Sequence, residues 1–135
     1  MSPRVRAAAA GSVAAVVWGL QEPLDQRVFG CDYSDVLFLG RGHRSVGFVV
    51  HAANGALFGL AFERARERTG SEPRRVALGL ALAENFALFP FAAAVDRLHP
   101  ARGERGLAPL FTARGLAQAT LRHALFGAVL GRLAR

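Results

Sequence analysis

Two histidines in this chain stand at the head of the same nine-residue frame: HAANGALFG at 51–59 and HALFGAVLG at 123–131 both read H-A-x-x-G-A-x-x-G. Each lies inside an apolar run, where a polar side chain is costly unless it has a partner. Glu22 and Glu84 are acids within or beside such runs, and Arg122 directly precedes His123. Two carboxylates and two imidazoles could pass a proton, because histidine changes charge near neutral pH and a neighbouring carboxylate moves that titration. A metal- or haem-binding subunit would draw on the same groups. The Glu-x-x-His spacing of carboxylate-bridged bundles is missing, however, and Arg122 beside His123 opposes a bound cation. A third reading is structural: Asn54, Glu84 and Arg122 clasp one another across helices while the histidines donate to backbone carbonyls. Of these three, no metal and no cofactor is expected.

Other chemistry is thin. Ser12, Ser34, Ser45 and Ser71 are not in a nucleophile-elbow context, and neither a phosphate-cradling glycine loop nor a dinucleotide fingerprint occurs. Cys31 is alone, which excludes an internal disulfide and a cysteine-based metal knuckle. The expectation is a protein that is not an enzyme. All 17 basic residues are arginine and the net charge is +7. The arginines flank apolar runs instead of forming a basic face with aromatic platforms, so nucleic acid is not an expected partner. GRGHRS at 40–45 reads as an anchor at the outer mouth of a helix.

The elements that must position these residues are four apolar runs, Ala7 to Leu20, Val46 to Phe62, Val76 to Val95 and Gly115 to Gly131. With their flanks, each is about long enough to span ~30 Å of hydrocarbon. The expected fold is all-α, a single integral membrane domain over 1–135 built as a four-helix transmembrane bundle, with helices about 5–22, 45–66, 75–97 and 113–133. A soluble bundle would show one apolar stripe per helix, whereas VALGLALAENFALFPFAAAV at 76–95 is apolar nearly all round. The link at 63–75 is short and dense in arginine, and the loops at 25–44 and 98–112 carry Asp25, Asp32, Asp35 and Glu104. That bias is weak; it places both termini and the 63–75 link in the cytoplasm and the other two loops outside. The lipid bilayer of a bacterial plasma membrane is the expected surrounding. Pro90 is expected to kink the third helix beyond Glu84, and Trp18 to pack near the interface.

Every fourth residue of the second helix gives Gly47, His51, Gly55 and Gly59; the same spacing in the fourth gives Gly115, Ala119, His123, Gly127 and Gly131. Residues four apart share a helix face, and small ones let two backbones approach in lipid. The shared frame suggests two duplicated helical hairpins. It also suggests assembly with a second copy or a membrane partner through these ladders. At ~1.5 Å per residue from the inner edge, Asn54, Glu84, Arg122 and His123 fall in one layer near ~14 Å, His51 about one turn further out and Glu22 near the outer end of the first helix. A lone charge at that depth costs at least ~2.5 kcal/mol, so Glu84 and Arg122 are expected to pair.

The stretch WGLQEPLDQR at 18–27 resembles the first-helix exit of the YagU-like small bacterial inner-membrane proteins, which carry Trp-Gly, an acid, Pro-Leu and Arg there. Trp18, Gly19, Pro23, Leu24 and Arg27 match; the acid stands at Glu22, where the family pattern puts it at the place of Gln21. The histidine-bearing helices are similar in outline, and the likeness covers about half the chain in scattered pieces. The resemblance implies an inner-membrane protein linked to acid tolerance, without enzymatic activity. Two functions therefore stand as expectations: a non-enzymatic assembly protein built on its glycine ladders, and a proton-coupled or acid-responsive protein using the Glu and His layer.

Overall fold

Small residues and caps decide where the helices begin and end. The structure is a computed structural model that describes residues 1–99, 102, 103, 107 and 109–135. Helix α1 (Pro3–Phe29) starts with Pro3 at its first position and the Ser2 hydroxyl accepting from the Val5 N–H, and it stops at Gly30, whose φ of 59° is the left-handed region that glycine tolerates. It is longer than the sequence led us to expect. Pro23 lies inside it, and the buried stripe Ala7, Gly11, Ala14, Trp18, Glu22, Asp25 runs straight through the proline at helical spacing. The segment after it is no plain outer loop, since Ser34 caps a short helix α2 (Asp35–Leu39) by accepting from the Leu37 N–H at 3.1 Å.

Helix α3 (Arg44–Thr69) ends at Gly70, again left-handed with φ 61°. The Glu72 carboxylate then caps α4 (Pro73–Leu88), accepting from the Arg75 N–H at 3.1 Å. Pro90 removes a backbone donor, and the chain tightens there into a 3-10 turn, Phe89–Phe91, before α5 (Ala92–Leu98) continues the rod. Asp96 reaches across the last loop to accept from the N–H groups of Leu110 and Phe111, at 2.7 and 2.8 Å. Thr112 caps α6 (Ala113–Leu133) through the Gly115 N–H at 2.9 Å. Glu104 of the 98–112 loop lies outside the described residues. Among those described, every regular element is helical.

The glycine ladders set the packing. A Cβ at Gly55 would overlap the carbonyl of Gly11, and one at Gly59 the carbonyl of Ala7, so α3 lies backbone to backbone on α1. In the second half, Gly127 meets Leu78 and Ala77 while Gly131 meets Arg74, which seats α6 on α4 in the same way. Two rungs differ from expectation. Gly47 packs on the Val36 carbonyl of α2, and Gly115 on the Leu110 carbonyl just before its own helix. Both hold the segment that precedes their own helix, because the chain folds back at the N-terminal ends of α3 and α6. The pairs join through α1 and α6, around Trp18, Phe62, Phe126 and Leu130, whereas α3 and α4 touch sparingly.

Large apolar side chains are exposed while several charged ones are buried. Val13, Leu20, Leu24, Val49, Leu57, Phe86, Leu88 and Phe91 are exposed, while Glu22, Asp25, Gln118 and Arg122 are buried. Two helical rods, Arg44–Thr69 and Pro73–Leu98, each 26 residues, are long and apolar enough to cross a membrane by length and composition.

Candidate functional site: a cleft between α3 and α4

A buried arginine must be met by acceptors, and Arg122 is met by three carboxylates. Its Nε and one terminal nitrogen grip Asp25 in a fork, both contacts 2.6 Å. The other terminal nitrogen donates to Asp35 Oδ2 at 2.7 Å and stands 3.7 Å from Glu22. The Tyr33 carbonyl takes a further N–H at 2.9 Å. Three acids around one cation would repel unless other donors spread the charge, and each acid has such a donor. Gln118 and Gln21 donate to Asp25, Ser34 and the Val36 N–H donate to Glu22, and the Trp18 indole N–H donates to Asp35 at 3.1 Å. The expected Glu84–Arg122 pair is therefore absent: α1 runs on past Pro23 and α2 folds back, which delivers nearer acids. Beside this cluster, burial and then the charge of Asp35 push the Tyr33 phenol well up from its ordinary range, so it remains neutral.

One turn inward, the two frame histidines converge on the same indole. His51 meets Trp18 edge-on with ring centroids 5.2 Å apart, and His123 does so at 4.6 Å. The equivalent frames on α3 and α6 thus face each other across α1. His123 Nδ1 lies 2.8 Å from the Ala119 carbonyl oxygen, which can only accept. Nδ1 therefore carries a proton, and Nε2 is left facing Glu84 Oε2 at 3.8 Å. The Nε2 of His51 is buried and has no hydrogen-bond partner among the described residues.

Because α3 and α4 splay apart, these groups open onto a cleft of about 650 Å³. Its inner wall holds Trp18, His51, His123, Glu84, Asp35 and Arg122; its flanks are Leu57 and Phe58 of α3, Leu88 of α4, and Phe89 and Phe91 of the turn. Glu84 is 41% exposed there, in contrast to the 1% of Arg122. Asn54 is exposed and lines the cleft without joining the cluster. Asn85, next to Glu84, donates to Thr120 at 3.0 Å and ties α4 to α6.

The polar layer read from depth is thus two groups. Glu84 and His123 meet in the cleft, with His51 across Trp18; Glu22 and Arg122 belong to the charged cluster one level further out. Sequence reading missed Asp25 and Asp35 as partners of Arg122, and Ser34 and Gln118 as donors to the acids around it. A signal existed for one of them: Trp18, Glu22 and Asp25 lie four and seven residues apart on one helix face. For Asp35 and Ser34 no local pattern announces that the loop returns. Among the described residues, no group of three or more His, Cys, Asp and Glu side chains is arranged to hold a metal ion. Comparison with known families, with curated proteins and with solved structures finds no match to this chain.

Proposed function

We propose that this chain is a four-span protein of a bacterial plasma membrane, with both termini in the cytoplasm, that takes up and releases a proton at the Glu84–His123 pair. No covalent chemistry is involved. The observation that carries the reading is Glu84 itself. It is a half-exposed carboxylate on the wall of an apolar cleft, 3.8 Å from an imidazole nitrogen, with the nearest guanidinium engaged elsewhere. With Nδ1 already bearing a hydrogen, the Nε2 lone pair of His123 faces Glu84 across 3.8 Å, a gap over which a proton passes by way of one intervening water. Either direction leaves the charged cluster around Arg122 untouched.

Membrane residence draws support from the exposed apolar and buried charged side chains and from the two apolar rods, of whose central windows only 28% and 22% is buried. The core helix of a water-soluble protein would be mostly buried. Helices α1 and α6 would complete the four spans by turning Asp25, Gln118 and Arg122 inward and their valines and leucines outward. Assembly through the glycine ladders is less supported, because α1 and α4 already cover the rungs at Gly55, Gly59, Gly127 and Gly131.

Infrared difference spectra between neutral and acid pH, recorded on the protein in zwitterionic lipid, test the proton reading. A carboxylic-acid band should rise on acidification and be missing in Glu84→Gln. An unchanged set of bands in that variant would show that Glu84 is not the exchanging group.

A further inference from the structure

The cleft has a charge as well as a shape. Around it stand Asp35 and Glu84, with Glu22 and Asp25 directly behind Asp35, and the single guanidinium among the described lining residues is that of Arg122. Each nitrogen of that guanidinium already donates, to Asp25, to Asp35 and to the Tyr33 carbonyl. An anion entering the cleft would meet Glu84, while four of the five N–H groups of Arg122 are already taken and the fifth belongs to the nitrogen 3.7 Å from Glu22. A neutral guest would leave the Glu84 charge facing apolar walls. A cation would compensate it, and Phe38, Phe58, Phe89 and Trp18 line the cleft with rings of the kind whose faces attract cations and flat apolar bodies alike.

A second observation narrows the class. His51 is 8% exposed, lines the cleft, and its Nε2 has no partner in the described residues. A buried polar atom of this kind is rare without a function. In the neutral tautomer that carries its hydrogen on Nδ1, this nitrogen can accept one N–H. At about 650 Å³ the cleft has the size of sites that enclose drug-sized ligands, and its mouth lies between α3 and α4, whose outer faces carry exposed Leu57 and Leu88.

We propose that the cleft binds a hydrophobic organic ammonium ion, its charge against Glu84, one N–H on His51 Nε2 and its apolar body among the phenylalanines. This inference rests on the proton reading above, since the ammonium ion and the proton would use the same carboxylate. Proton and ammonium would then exclude each other at Glu84, the arrangement expected of an exchanger.

Four probes sharing one naphthyl body separate charge from shape: naphthylmethylammonium, its N-trimethyl analogue, naphthalenemethanol and naphthylacetate. Binding is read at neutral pH by equilibrium dialysis against the full chain in zwitterionic nanodiscs, with empty nanodiscs subtracted. The ammonium should bind at least about tenfold more tightly than the alcohol, a difference of the size one ion pair supplies, and the acetate more weakly than the alcohol. Glu84→Gln should remove the ammonium's advantage and leave the alcohol unchanged. His51→Phe should weaken the primary ammonium about threefold and spare the trimethyl analogue, which has no N–H to give. Equal binding of ammonium and alcohol to the parent protein would overturn the proposal, whatever the variants do. Should the infrared band still vanish in Glu84→Gln, the ligand class alone would fall and the proton site would stand.

Discussion

Ser34 serves two masters at one atom. Its hydroxyl donates to Glu22 at 2.5 Å and accepts from the Leu37 N–H at 3.1 Å, so it caps α2 and neutralises part of the acid excess around Arg122. Ser34→Ala should therefore cost ~2 kcal/mol, the sum of a modest cap and a hydrogen bond to a charged group. Thermal unfolding in mild detergent measures it; a loss near zero would mean that water serves Glu22 equally well. Trp18→Phe keeps the aromatic floor for both histidines and deletes the N–H that Asp35 accepts. Its expected effect is a smaller loss of stability, ~1 kcal/mol, with the cleft still formed. The position of the two histidines on helix-packing faces was legible in their repeated frame. The chemistry of Arg122 was not, because its acceptors lie 87 to 97 residues away, beyond a proline that reads as a helix stop.

At the scale of elements, period-four spacing carried the most information. Gly55, Gly59, Gly127 and Gly131 do bring backbones together, and depth counting by helical rise put Glu84 in the same layer as His123 while naming Arg122 as its partner. Gly47 and Gly115 belong to the same arithmetic yet face loop carbonyls, since periodicity names a face and not its neighbour. Gly55→Leu or Gly127→Leu should each destabilise the bundle by ~1 to 3 kcal/mol through overpacking. Gly79 is the control: a Cβ there meets nothing within 4 Å, so Gly79→Leu should be nearly neutral. Equal losses at all three positions, read from denaturation in detergent, would deny the ladders any special standing. An interruption at Pro90 was legible too, and it takes the form of a 3-10 turn. The passage of α1 through Pro23 was not, though the stripe from Ala7 to Asp25 marks it in retrospect.

For the whole molecule, charge buried beside exposed valine, leucine and phenylalanine is the pattern that the proposed membrane setting would accommodate. Four spans with cytoplasmic termini put the 70–72 link and the segment around α2 on opposite sides. With Cys31→Ala as background, Ser71→Cys and Arg41→Cys, both exposed positions, should react with an impermeant maleimide from opposite faces of the membrane. Labelling of both from one face would remove the four-span topology. The central claim is that the charged residues divide into a locked cluster around Arg122 and an open, exchangeable acid at Glu84. Arg122→Gln would leave the buried Glu22 and Asp25 and the part-exposed Asp35 without their cation, so a loss of ~3 to 5 kcal/mol is expected, whereas Glu84→Gln should stay within ~1 kcal/mol of the parent. The paired unfolding free energies of these two variants, measured in one detergent, test the division most directly. A large gap between them is the predicted result; Glu84→Gln falling as far as Arg122→Gln would mean that Glu84 is a structural partner after all.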